Sequence, residues 1–133
     1  MRNALLLSAL MCVAFLILSS CATTEKSLQE RGLNPLTHSE LETLMSRTRT
    51  ARWTTSKGVS GTGTYSQDGT AKLAWSGGGA EGSWRVSGDK FCTAYPTIRG
   101  GKETCFTLYR IQENEYQSFF PDGGFNATLV YTN

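Results

Sequence analysis

Four cysteines, one histidine and three tryptophans are the residues of this chain best suited to do chemistry. The single histidine, His38, argues against a Ser-His-Asp triad and has too few companions for a metal site. Gly61-Thr62-Gly63-Thr64 is rich in glycine. It lacks the lysine and the strand-to-helix setting of a phosphate loop, and it reads as a strand of small residues. Asp68, Asp89 and Asp122 each sit beside a glycine. Turn chemistry accounts for all three, because Asp bonds its own backbone and Gly accepts positive φ. No carboxylate pair is singled out for acid–base work, and Asn126-Ala127-Thr128 matches a glycosylation sequon by chance. The expectation is a chain that is not an enzyme and needs no cofactor or metal. What remains is aromatic and basic: Trp53, Trp75 and Trp84, with Arg99 and Lys102, are the candidate interaction residues. In a small β-domain such aromatics serve first as core and cross-strand partners. In a wide enough barrel some would line an apolar cavity.

The N-terminal residues have a different texture. Arg2 and Asn3 precede an almost wholly apolar run, Ala4 to Leu18, and then Ser19-Ser20-Cys21. This is the layout of a secretory signal: charged start, apolar centre, small residues at the cut. About 15 apolar residues fall short of the roughly 20 needed to span a bilayer as a helix. Leu18-Ser19-Ser20-Cys21 resembles the lipobox of bacterial lipoproteins. That resemblance implies removal of residues 1–20, acylation of Cys21 and a membrane anchor. Cys12, inside the apolar run, leaves with the signal. Ala22 follows the cysteine where aspartate would favour the inner membrane. By resemblance to enterobacterial sorting, the expected place is the periplasmic face of the outer membrane, with an envelope protein as a candidate partner.

Processing would leave one domain. Only Arg2 is lost from 13 basic residues against 11 acidic ones, so the net charge falls from +2 to near +1. Such a balance argues against nucleic acid, which demands a strongly basic face. Arg47, Arg49, Arg52 and Lys57 form a local basic cluster. It reads as a solvated helix end and strand, with anionic lipid headgroups as the sharper alternative. With Cys12 discarded and Cys21 acylated, Cys92 and Cys105 remain, in a compartment that permits disulfides. A loop of about 14 residues closed by that bridge would stabilise the fold by about 3 kcal/mol.

The elements that must position these residues follow from turn and cap signals. Residues 21–35 read as lipidated cysteine and polar tether, and 36–133 as the domain. Thr37 and Glu40 form a capping box, with Leu36 and Leu41 as its hydrophobic staple. Leu41, Leu44 and Met45 then make the apolar stripe of one helix, running to about Thr48. Beyond Thr50, glycine-containing turns recur. Between them lie strands near 50–56, 59–66, 70–76, 82–88, 90–96, 103–112, 115–120 and 124–132. Gly88-Asp89 suits a tight hairpin that sets Trp84 and Val86 beside Phe91 and Thr93. The fold class is mainly β with one N-terminal helix: an antiparallel meander of about eight strands, as a small barrel or a strongly curved sheet.

Two resemblances bear on the mature domain. Tyr65-x-x-Asp68-Gly69, Gly82-Ser83-Trp84-Arg85-Val86, Phe91-Cys92, Tyr95-Pro96 and Glu103-Thr104-Cys105-Phe106 together resemble a group of small secreted proteobacterial proteins of unknown function. That resemblance spans roughly residues 36–125 and implies a fold and a bridge without an activity. More loosely, the architecture is similar to membrane-bound lysozyme inhibitors, which block a muramidase cleft with a loop bearing Ser and Lys or Arg. Ser76 to Glu81 and Thr97 to Lys102 would be the corresponding loops. The preferred reading is a non-catalytic binding or structural module of the envelope. A lysozyme-inhibitor-like protein and a binder of a small apolar ligand are the alternatives. The last of these requires a cavity of a few hundred Å³ lined by tryptophans.

Overall fold

The computed structural model describes residues 23–133. The signal segment and Cys21 lie outside the described residues. Eight antiparallel strands follow one another in chain order: β1 Arg49–Thr55, β2 Ser60–Tyr65, β3 Thr70–Trp75, β4 Gly78–Ser87, β5 Lys90–Ala94, β6 Thr104–Gln112, β7 Glu115–Phe119 and β8 Phe125–Tyr131. Each pairs with the next, and β8 returns to β1, so the sheet closes as a barrel. Closure removes the edges that an open meander would expose.

The predicted strands match these closely, with one difference. Gly77-Gly78-Gly79 reads as a turn, yet only Ser76 and Gly77 turn, and Gly78 already pairs with Trp75. The two later glycines belong to β4 because close neighbours leave no room for a Cβ. At Gly82, in the same strand, a Cβ would sit 2.0 Å from the Ala94 carbonyl oxygen. The Gly88-Asp89 hairpin has the expected register, Val86 opposite Phe91 and Trp84 opposite Thr93.

Helix α2, His38–Leu44, carries the expected capping box. The Thr37 hydroxyl accepts from the Glu40 N–H at 3.2 Å, and the Glu40 carboxylate accepts from the Thr37 N–H at 3.3 Å. Leu36 and Leu41, the staple pair, are both buried. The helix ends earlier than expected, with Met45 as its C-cap. It closes one end of the barrel, against β4 and β5. Asp89 in the β4–β5 hairpin accepts from the His38 N–H at 2.7 Å. Met45 meets the Tyr131 hydroxyl from above, at 3.9 Å. Asp89 therefore serves the helix start, whereas Asp68 and Asp122 accept from Thr70 and Gly124 within their own turns, as turn chemistry requires.

A second helix, α1 at Glu25–Glu30, lies where the sequence reads as tether. Thr24 and Ser27 cap it reciprocally. Its one apolar residue, Leu28, is fully buried with Tyr109 and Phe119 on the outside of the barrel. The Tyr109 hydroxyl donates to Glu25 at 2.9 Å and accepts from Gln29 at 3.1 Å. A single leucine in so short a helix produces no readable apolar period. Further along, Pro35 bridges Tyr109 and the Leu36 N–H donates to the Leu108 carbonyl at 2.8 Å. These residues cover β6 where it extends past the short β5.

Cys92 and Cys105 stand directly opposite each other on β5 and β6, Cα atoms 3.9 Å apart, and form the expected disulfide. The bridge faces outward. On the same outer face Arg85 and Glu103 make a two-bond ion pair at 2.6 and 2.8 Å. Glu103 lies near both sulfurs, but the sulfurs are bonded to each other and offer no thiolate to a metal.

Candidate functional site

The inward face of each strand is fixed by the period of two. Starting from Trp53 on β1, cross-strand register places Gly61 on β2, Trp75 and Leu73 on β3, Thr93 on β5, Phe106 and Leu108 on β6, Ser118 on β7, and Ala127 and Leu129 on β8 toward the interior. The closed half of this interior is filled. Tyr65, Phe91 and Trp84 pack face and edge there, with ring centroids 5.2 and 5.9 Å apart. The other half is not filled. A cavity of about 380 Å³ runs inward from the end opposite α2 and is lined by Trp53, Trp75, Tyr95, Arg99, Phe106 and their neighbours. Eight-stranded barrels have room for side chains or for one small ligand, and this one holds both in separate halves.

Small residues make the space. A Cβ at Gly61 would lie 2.5 Å from the Trp53 ring, and one at Gly63 would lie 2.8 Å from the Tyr65 hydroxyl. The strand of small residues read from Gly61-Thr62-Gly63-Thr64 is thus the wall against which two inward aromatics lie. Trp53 and Trp75 meet edge to face, centroids 6.3 Å apart. The Trp53 indole N–H is buried without a hydrogen-bond partner among the described residues.

Polar groups are few and sit at definite points. The bulge between Ser118 and Phe119 leaves Asn126 as the extra residue of β8. Bulges re-aim a side chain, and here the Asn126 amide donates to the Ser118 hydroxyl at 3.0 Å while that hydroxyl donates to the Ala127 carbonyl at 3.2 Å. Burial pushes the Tyr95 hydroxyl up to about 12, a rise that a hydrogen bond with Tyr65 and the nearby Arg99 partly offset. Tyr65, deeper in the barrel, is raised further by burial and by the neighbouring tyrosines. Both are neutral at physiological pH and serve as hydrogen-bond groups. Arg99 lies at the mouth, its guanidinium 5.4 Å from the Phe106 centroid and 5.8 Å from that of Phe120. Partial burial lowers its pKa, but it remains a cation.

The candidate residues of the sequence therefore separate. Trp53, Trp75 and Arg99 come together at the cavity. Trp84 does not: it stacks on Phe91 and its indole N–H donates to the Ser66 carbonyl at 2.7 Å, locking β4 to the β2–β3 turn. Lys102 follows the Arg99–Gly101 turn and is exposed. Arg49 leaves the expected basic cluster because its strand parity turns it inward, where it is almost fully buried over the Tyr131 ring. Ser76 to Glu81 is not a loop, since Gly78 to Glu81 lie in β4. Thr97 to Lys102 is one, but its Arg99 lies over the mouth. Tyr95, Ser118 and Asn126 are not among the interaction residues expected from sequence, where Tyr95 enters only through a resemblance and Asn126 only through a chance sequon. Pairing of Ser118 with Asn126 depends on a bulge that no local signal marks.

Among the described residues the large apolar side chain left exposed is Val59, at the mouth, 51% exposed. The aromatics of the described residues are covered in whole or in part, inside the barrel or, for Tyr109 and Phe119, beneath α1. No helix among the described residues is long and apolar enough to cross a membrane.

No curated protein and no solved structure gives a significant match to the chain. The family model described as "Protein of unknown function (DUF995)" matches residues 13–127, most of the chain, and takes in the whole wall of the cavity except the last residues of β8. The chain therefore belongs to the DUF995 family.

Proposed function

We propose that this protein is a non-catalytic binding module that holds one small, largely apolar molecule inside its barrel. The observation that carries the reading is the cavity of about 380 Å³ behind a mouth lined by Trp53, Trp75 and Ile98. Ligand sites occupy roughly 300–1,000 Å³ and are mostly apolar with a few placed polar groups. A volume about two and a half times that of the roughly 150 Å³ cavity that takes benzene suits a medium-chain or bicyclic molecule.

The anchor read from Leu18-Ser19-Ser20-Cys21 fits this role. Helix α1 is capped by Thr24, three residues after Cys21, and three residues reach no more than about 11 Å. At Gly123, in the β7–β8 turn on the rim of the mouth, an added Cβ would lie 3.4 Å from the Glu25 carboxylate. Acyl chains on Cys21 would therefore hold the open end of the barrel toward the bilayer, as expected for a module that takes up molecules partitioning into membrane. By resemblance that bilayer is the outer membrane, seen from the periplasm.

The test is a titration of the purified protein with methyl decanoate, a neutral apolar probe, read by tryptophan emission. Saturable change that disappears in an Ala127→Phe variant, whose added ring fills the cavity, is the expected result. Unchanged emission with a folded protein would refute the reading.

A further inference from the structure

The mouth holds a cation with no carboxylate paired to it among the described residues. Arg99 makes no ion pair among the described residues; the pairs there are Lys26–Glu30, His38–Glu42 and Arg85–Glu103. Its guanidinium lies over two aromatic rings instead of facing a carboxylate. The Tyr95 hydroxyl stands between it and the Tyr65 hydroxyl, and the Trp53 N–H in the same cavity is buried without a partner among the described residues. A charged donor and the unpartnered Trp53 N–H thus sit with Tyr95, Ser118 and Asn126 in a cavity that is mostly apolar.

The backbone places Arg99 here at a cost. Its φ is 52°, and Gly100 and Gly101 follow at 64° and 77°. Left-handed backbone is ordinary for glycine and uncommon for a residue with a long side chain. Strain of this kind persists where the surrounding structure imposes it and clusters at ligand sites. The turn carries residue 99 back over the mouth, while Lys102, three residues on, stays outside it.

We propose that the ligand is an amphiphile with a single anionic head, of the carboxylate class, bound with its tail in the cavity against Trp53 and Trp75 and its head on Arg99. This rests on the cavity-binding reading and adds the chemistry of the head. A carboxylate accepts from a guanidinium through two parallel bonds, and charge-assisted bonds of this type are about twice as strong as neutral ones. Tyr95 supplies a further neutral donor. The aromatic faces of Phe106 and Phe120 hold the guanidinium in place before the ligand arrives, which lowers the ordering cost of binding.

The test compares decanoate with methyl decanoate, which has the same tail and a neutral head. The full chain is held in lipid nanodiscs, empty nanodiscs correct for partition, and tryptophan emission reads binding. Decanoate should bind about tenfold or more tightly than the ester, the effect of one charge-assisted contact. Arg99→Gln should close that gap by weakening decanoate far more than the ester, and Arg99→Lys should keep part of it. Lys102→Gln removes the same charge from the same loop and should leave the gap intact. Equal affinity for acid and ester overturns the head-group assignment and leaves the cavity reading standing. Loss of the gap in Lys102→Gln would show diffuse attraction and also overturn it. Binding of neither compound would refute the cavity reading and this proposal together.

Discussion

At the closed end of the barrel Arg49 lies over the Tyr131 ring, 4.8 Å from its centroid, and is almost fully buried. At the open end Arg99 lies over Phe106 and Phe120 at slightly longer range and stays exposed. The same pairing of guanidinium and aromatic ring thus occurs twice. What differs is the cover. Helix α2 places Leu41 and Met45 over the first end, and a loop with three left-handed residues borders the second. One end spends its aromatics on packing and the other leaves them lining a void. A void is destabilising in a protein without a ligand, because its walls lose contacts. It persists here because the closed end, the disulfide and full barrel closure hold the walls apart.

Alkali should break this arrangement most completely, and through the closed end. Burial holds Tyr65 and Tyr131 well above the ordinary tyrosine value of 10.0, and Tyr95 at about 12. In the unfolded chain they ionise near 10, while in the folded one they stay neutral. The stability this contributes is intact below pH 10 and is lost as pH rises toward the folded values. Denaturant midpoints measured from neutral pH to about pH 12 should fall steeply above 10. Tyr65→Phe and Tyr131→Phe should each blunt the fall more than Tyr95→Phe, since Tyr65 and Arg99 offset part of the rise at Tyr95. Equal blunting by all three would erase the contrast between the ends.

Removing the plug comes next. Leu41 is fully buried beneath α2, and Leu41→Ala should cost about 3 kcal/mol, within the usual range for a buried leucine. Trp75→Ala, at the mouth, should cost less despite the larger side chain, because that ring already borders empty space. Urea denaturation ranks the two, and a larger loss at Trp75 would mean that the cavity collapses in solution.

The helices show what the sequence makes legible. Helix α2 could be placed from Thr37, Glu40 and a stripe of three apolar residues. Thr37→Ala should therefore cost about 1 kcal/mol, and Glu40→Ala less, in the same urea experiment. Helix α1 carries an equivalent reciprocal cap at Thr24 and Ser27. It is not legible in the sequence because Ser at the third position is a weak signal and Leu28 alone makes no stripe. The strands and the bridge were legible because glycine turns and alternation are local. Which aromatics fill the core and which border a cavity was not, because parity assigns only a face. The cavity depends on how far α2 reaches into one end, and the place of Arg99 depends on a left-handed turn.

The smallest expected effect gives the sharpest separation of the two arginines. Arg49→Ala removes a desolvated cation–aromatic contact and leaves a hole under α2, so a loss of about 2 kcal/mol is expected. Arg99→Gly removes a weaker contact that solvent already screens, worth about 0.5–1 kcal/mol. It also relieves a left-handed φ of 52°, which returns a similar amount, against some entropy gained by the unfolded chain. These terms cancel to within about 0.5 kcal/mol, the ordinary scatter of surface substitutions. Thermal or urea denaturation of the two variants should place Arg49→Ala well below the parent and Arg99→Gly beside it. A stability loss at Arg99 as large as that at Arg49 would mean that both guanidinium groups serve the fold, and the open end would lose its claim to be a site.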